Sequence, residues 1–140
     1  MKKRIAGLFS VLMVLGLLAV PLAAQSHKLK ADIPFEFTAA GKVMPAGEYV
    51  IDLRSDFSGM TRLFAVDARQ SAVALGHGIG GGERQADSRL TFNQYGNQYF
   101  LAEVWVQGWN SGIGFQKSRT ERELSRTASA RQTFTLAAKR

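Results

Sequence analysis

Two histidines, eleven carboxylates and no cysteine bound the chemistry open to this chain. Without Cys there is no thiol nucleophile, no thiolate metal ligand and no disulfide. His77 has Glu83 and Asp87 close by in sequence. An imidazole beside a carboxylate is the pair a hydrolase uses to move a proton from water or a hydroxyl. No serine sits in a G-x-S-x-G elbow, so nothing selects a nucleophile to go with that pair. A metal site needs three or more ligands at characteristic spacing. One His and two carboxylates do not make that pattern, and no metal is expected. Gly76, Gly78 and Gly81 match G-x-G-x-x-G. That fingerprint binds a dinucleotide only between a parallel strand and a helix, where backbone N–H groups meet the pyrophosphate. Here the polar run ERQADSR follows, with no apolar stripe to pack a helix. The stretch 76–88 therefore reads as a flexible connection, and no cofactor is expected. His27, near the start of the exported chain, is expected to be mobile.

Binding chemistry has two candidate sources. Trp105, Trp109 and Phe115 flank one loop, expected over 108–114, and aromatics beside a sheet can stack on sugars or seat a hydrophobic ligand. The alternative is that they plug the end of the fold. Lys117, Arg119, Arg122, Arg126, Arg131, Lys139 and Arg140 make the C-terminal stretch basic. They suit an anionic envelope polymer or a phosphate-bearing partner, or a solvated helix face with local pairs. No aromatics interleave with these cations as a nucleic-acid platform requires, so nucleic acid is not an expected partner.

The elements that must position these residues are mostly strands. The stretch 89–106 reads as a β-hairpin turning at Gly96-Asn97, a pair that tolerates positive φ. Phe92 should then face Leu101, and Leu90 should face Glu103. Residues 99–106 are apolar on both faces, so this strand should be covered on both sides and Trp105 should lie in the core. Glu103 is the exception. It must pair or protonate, and the expectation is a structural ion pair with Lys117, Arg119 or Arg122. Alternation gives further strands over 29–37, 48–54, 62–67, 71–75 and 133–137. Pro34 marks an edge or bulge in the first. Ser118-Arg119-Thr120-Glu121 has the capping-box form, in which the Ser oxygen accepts a first-turn N–H and the Glu returns a bond. It should open a surface helix over 119–126 anchored only by Leu124. The expected fold is all-β: a small antiparallel sandwich or flattened barrel of about seven strands with one short C-terminal helix.

Residues 1–26 read as a secretory signal peptide. Lys2, Lys3 and Arg4 are followed by an apolar run and a small-x-small site at Ala24-Gln25-Ser26, with cleavage after Ala24 as the alternative. Removal leaves about 114 residues, 27–140, the size of one domain. It takes three cations, lowering the net charge from +7 to +4, a level that aids solubility. No membrane span is expected after removal, and the expected location is the periplasm or the exterior.

Four segments in order, Ile33 to Phe37 (IPFEF), Met44 to Tyr49 (MPAGEY), Tyr99 to Trp105 (YFLAEVW) and Lys117 to Glu123 (KSRTERE), resemble a group of small exported proteins of soil bacteria, chiefly acidobacterial. Their pattern is a signal peptide, I-P-F-x-F, L-P-A-G-x-Y, Y-F-L-x-x-V-W and K-S-x-x-E-R-E. Met44 stands where Leu is usual. The resemblance covers most of the exported chain. It implies export and a β fold, and it supplies no catalytic residue.

These readings leave two functions. One is an exported, non-enzymatic binding or structural module for an envelope ligand, glycan or protein, using Trp105, Trp109 and Phe115 with Arg119 and Arg122. The other is a periplasmic hydrolase using His77 with Glu83 or Asp87.

Overall fold

The computed structural model describes residues 26–54, 59–67, 69–128 and 131–140. The expected leader before Ser26, most of the loop 55–59, and Ala68 fall outside the described residues. Among these described residues, ten strands and one helix follow in order: β1 (Ser26–Ile33), β2 (Phe37–Ala39), β3 (Lys42–Met44), β4 (Gly47–Arg54), β5 (Met60–Ala65), β6 (Ser71–Gly80), β7 (Ser88–Tyr95), β8 (Gln98–Trp105), β9 (Ser111–Phe115), α1 (Arg119–Thr127) and β10 (Gln132–Ala138). The fold is all-β, as alternation predicts, with more strands than the expected seven.

The core follows from alternation. Leu29 pairs with Ile51, Ile51 with Leu63 and Leu63 with Ala72, so one buried rung crosses four strands. Each large apolar side chain so buried contributes about 1.5–3 kcal/mol. The strands run β1-β4-β5-β6-β9-β8, with β7 and then β10 beyond β8. β7 lines one edge of β8. The other edge is shared: β9 pairs at 103–105, and β2 pairs at 99–100. The β2 contact is parallel, so the sheet is mixed and not wholly antiparallel. Among the described residues, β1 and the chain just past β10 are bridged where the Lys30 N–H donates to the Lys139 carbonyl (2.7 Å) and the Lys139 N–H to the Lys30 carbonyl (2.8 Å). The curled sheet is joined there at one bridge and is not closed.

The long first strand expected over 29–37 is two strands. Pro34 has no N–H for the ladder, and β1 ends at the residue before it. Phe35 then turns inward. It stacks on Tyr99 at 3.9 Å and meets Phe92 and Phe134 edge-on at 5.2 and 5.3 Å. Offset-stacked and edge-on geometries suit ring quadrupoles.

The central hairpin turns at Gly96-Asn97 as expected, with positive φ at Gly96 (59°), the first central position, as in a type II′ turn. Phe92 faces Leu101. Leu90 faces Val104, not Glu103, because a bulge between Thr91 and Phe92 shifts the register. β7 and β8 are covered on both sides: Leu90, Phe92 and Leu101 are buried inside, and Asn93, Tyr95 and Phe100 are buried outside.

Two glycine-rich stretches read from sequence as loops are strands. Gly76 to Gly80 complete β6, and Ser111 to Phe115 form β9. Opposite residues share a face, so His77 stands with Gly114 and Ile79 with Gly112. Each of those glycines has a bulky rung partner. A Cβ on Gly112 would lie 2.8 Å from the Trp105 ring, and one on Gly114 would lie 2.8 Å from Ile79 Cγ2. The spacing of 2 in G-H-G-I-G was strand periodicity carried by small residues.

Tyr49 sits fully buried after the Pro45-Ala46-Gly47 turn, and its hydroxyl donates to the Pro45 carbonyl at 2.6 Å. Burial pushes its phenol above the ordinary value of 10.0. The folded state therefore favours the neutral form. That contribution is complete below the unfolded phenol pKa near 10 and is lost as pH rises through the folded value. Tyr49→Phe should cost about 1 kcal/mol at neutral pH, the worth of one hydrogen bond. It should also flatten the alkaline limb of the stability curve. Urea titrations from pH 8 to 11 on both proteins check this. Parallel alkaline limbs would contradict it.

Candidate functional site

Across the outer face of β6, β9, β8 and β7 run two rungs. One is His77, Gly114, Glu103, Thr91; the next is Ile79, Gly112, Trp105, Arg89. In the second rung Trp105 lies over Gly112 and Gly80, and the Arg89 guanidinium sits 5.0 Å from the ring centre. In the first rung Gly114 stands between His77 and Glu103, whose backbones are two strand spacings apart, about 10 Å. Ile79 and His77 lean over the glycine, 2.8 Å and 3.3 Å from where a Cβ would lie. His77, Gly114 and Glu103 border an open cleft of about 230 Å³. Thr91, Asn93 and Thr133 form its polar side, Lys117 and Arg131 bring positive charge, and Phe115 contributes an apolar wall.

Helix α1 is fastened beside this cleft in a way the sequence did not show. Ser118 caps the helix as expected: its Oγ accepts from the Glu121 N–H at 3.2 Å. Glu121 departs from the box. Its carboxylate turns into the sheet and accepts from Asn93 Nδ2 at 2.8 Å and from the Tyr95 hydroxyl at 3.5 Å. It is 4 % exposed, the most deeply buried residue of the helix. A carboxylate taken that far from water needs strong donors, and the amide supplies one.

The expected ion pair of Glu103 does not form among the described residues. Glu103 accepts instead from Trp105 Nε1 at 2.8 Å, two residues along the same strand face. Arg119 pairs with Glu123 at 3.1 Å, and Arg122 donates to the Lys117 carbonyl at 3.2 Å. Both arginines lie on the exposed helix face, away from Glu103. Lys117 borders the same cleft as Glu103 without reaching ion-pair distance. Glu121 therefore does the anchoring expected of Glu103.

The aromatic trio is divided. Trp105 lies on the outer face over glycines and is half-buried, so it is not the core residue expected. Trp109 and Phe115 pack against the core. Only Phe115 walls the cleft. His27 is placed in β1 opposite Leu53 and meets the Trp109 ring edge-on at 4.9 Å.

His77 borders two clefts, the polar one and a larger one of about 310 Å³ between β2, β6 and α1. Glu83 and Asp87 line neither and lie exposed in the connection after β6. Among the described residues no three His, Asp or Glu side chains are grouped to hold a metal ion. The site residues missed from sequence are Thr91, Asn93, Gly114 and Thr133. Thr91 and Asn93 alternate with Leu90 and Phe92, and that alternation was the available signal for a polar outer row.

Glu121→Ala should cost about 2 kcal/mol, since it removes a charged hydrogen bond and strands a buried amide. Glu103→Ala should cost less than about 1 kcal/mol at its half-exposed position. A double-mutant cycle should couple Glu121 to Asn93, whereas Glu103 and Lys117 should be additive within about 0.5 kcal/mol. Urea denaturation of these variants gives all the terms. The reverse ranking would return the anchor to Glu103.

No protein family, curated protein or solved structure matches the chain.

Proposed function

We propose that the chain is an exported, non-enzymatic binding module whose ligand seat is the polar cleft over Gly114. The observation that carries this is the cleft itself. His77, Glu103, Lys117 and Arg131 border one open space of about 230 Å³ that Gly114 also lines. None of these four side chains is joined to another by a hydrogen bond or ion pair among the described residues. Groups held for stability are paired with one another, whereas these groups face the cleft. Export is supported by Lys2 to Arg4, the apolar run and the small-x-small site, and by the resemblance to small exported soil-bacterial proteins. No helix among the described residues is long and apolar enough to cross a membrane. The alternative, a hydrolase, needs Glu83 or Asp87 to orient His77. Neither carboxylate bonds to His77 among the described residues, which favours binding over hydrolysis.

Cations placed for a ligand repel one another when the seat is empty. The double variant Lys117→Met with Arg131→Gln should therefore keep or raise the urea midpoint of the parent protein. A loss above about 1 kcal/mol would show that these charges support the fold, and the binding seat would then lose its basis.

A further inference from the structure

We infer that the cleft over Gly114 takes a small hydroxylated carboxylate of the sugar-acid class, with its carboxylate between Lys117 and Arg131 and a hydroxyl on Glu103. This rests on the binding reading above and adds the ligand's chemistry.

Charge selects the acid. Lys117 and Arg131 outnumber Glu103 around the cleft, so an anion is favoured over a cation. Arginine presents a planar fork that matches a carboxylate with two parallel bonds, and lysine adds a point charge. Glu103 then selects what the rest of the ligand must carry. Its Oε2 is taken by the Trp105 indole, and Oε1 has no partner among the described residues. An apolar ligand body placed there would strip water from a carboxylate oxygen and give nothing back. A hydroxyl donates to it. The other polar groups are equally suited to hydroxyls: Thr91 and Thr133 both donate and accept, and Asn93 keeps a carbonyl oxygen after its amide goes to Glu121.

Size and shape agree. The cleft holds about 230 Å³ and is open to solvent on one side, which suits a small ring-sized ligand. Gly114 lets Ile79 and His77 lean in at the border of the cleft, because a Cβ there would lie 2.8 Å from Ile79 Cγ2 and 3.3 Å from His77 Nε2. Ile79 offers apolar surface to the C–H face of a sugar ring.

The test is an NMR titration of ¹⁵N-labelled protein recovered from expression of the full chain. The probes are glucuronate, its neutral counterpart glucose, and the cationic glucosamine. Glucuronate should give saturable shifts at the His77, Gly114 and Thr133 amides. Its affinity should fall at least about fivefold in Lys117→Met and in Arg131→Gln, each a lost charge-assisted contact. Arg119→Gln, on the exposed helix face, should bind as the parent does. Dispersed spectra of the variants verify that they are folded. Glucose or glucosamine binding the cleft as well as glucuronate does would overturn the acid class and leave the binding seat standing. Glucuronate shifts unaltered in both cation variants would overturn the assigned contacts. No saturable shift at the cleft with any of the three would overturn both this inference and the seat.

Discussion

The close approach of β6 to β9 is the constraint on which the rest of the structure depends. β6 pairs with β5 through residues 71–75 and with β9 through residues 76–80. The handover falls at Gly76, whose N–H donates to the Gly59 carbonyl at 2.9 Å. A Cβ at Gly76 would run into the Ile113 side chain and lie 3.0 Å from the Gly114 carbonyl oxygen. One strand thus serves two halves of the sheet because its pivot carries no side chain. The same absence at Gly112 and Gly114 sets the outer face. Trp105 settles over Gly112, and Ile79 and His77 lean over Gly114 at the border of the cleft. Fold and candidate site therefore rest on the same local feature.

Helix α1 depends on a second exchange of partners. In a capping box the N3 glutamate serves its own helix. Here Ser118 keeps its half of the arrangement, while Glu121 leaves the helix to bond with the sheet. That choice explains how a helix with only Leu124 as an aliphatic anchor is held. It also explains why Asn93, a polar residue in a two-sided strand, is buried without penalty. The segments that carry the sequence resemblance meet in the same way. Phe35 stacks on Tyr99, and Phe37 meets Tyr49 edge-on at 5.1 Å. Tyr49 closes its own turn on Pro45, and Ser118 caps the helix. Each motif has a packing or capping task in this fold. The cleft draws on residues both within those motifs (Glu103, Lys117) and outside them (His77, Gly114, Arg131).

Where side chains alternated, the fold was legible in the sequence. Leu29 to Ile33, Tyr49 to Leu53 and Leu90 to Phe92 put apolar groups on every second position, and all became core strands. Where glycine replaced side chains, the period of two was hidden, so β9 and the end of β6 read as loops. Hairpin register was readable as far as the bulge at Thr91 and no further, because a bulge depends on tertiary fit and leaves no fixed residue signature. The site was less legible than the fold. Its polar and charged groups lie on β6, on β8, and on the segments before and after α1, and only the strand order brings them together. Glu121, expected to serve its own helix, took the anchoring role expected of Glu103, which instead accepts from the Trp105 indole. Choosing between them required knowing which one faces Asn93.

The role of the glycine pivot is tested most directly by comparing two alanine substitutions in one strand. Gly76→Ala places a methyl group against Ile113 and the Gly114 backbone, which cannot both yield. Gly78→Ala places it in open space, with nothing within 4 Å. Equilibrium urea denaturation should show Gly76→Ala less stable by about 3 kcal/mol, at the upper end of overpacking costs. Gly78→Ala should be neutral or stabilising by up to about 1 kcal/mol through the unfolded chain. Equal effects at the two positions would contradict the account, since they would show that β6 and β9 do not depend on a bare backbone at Gly76.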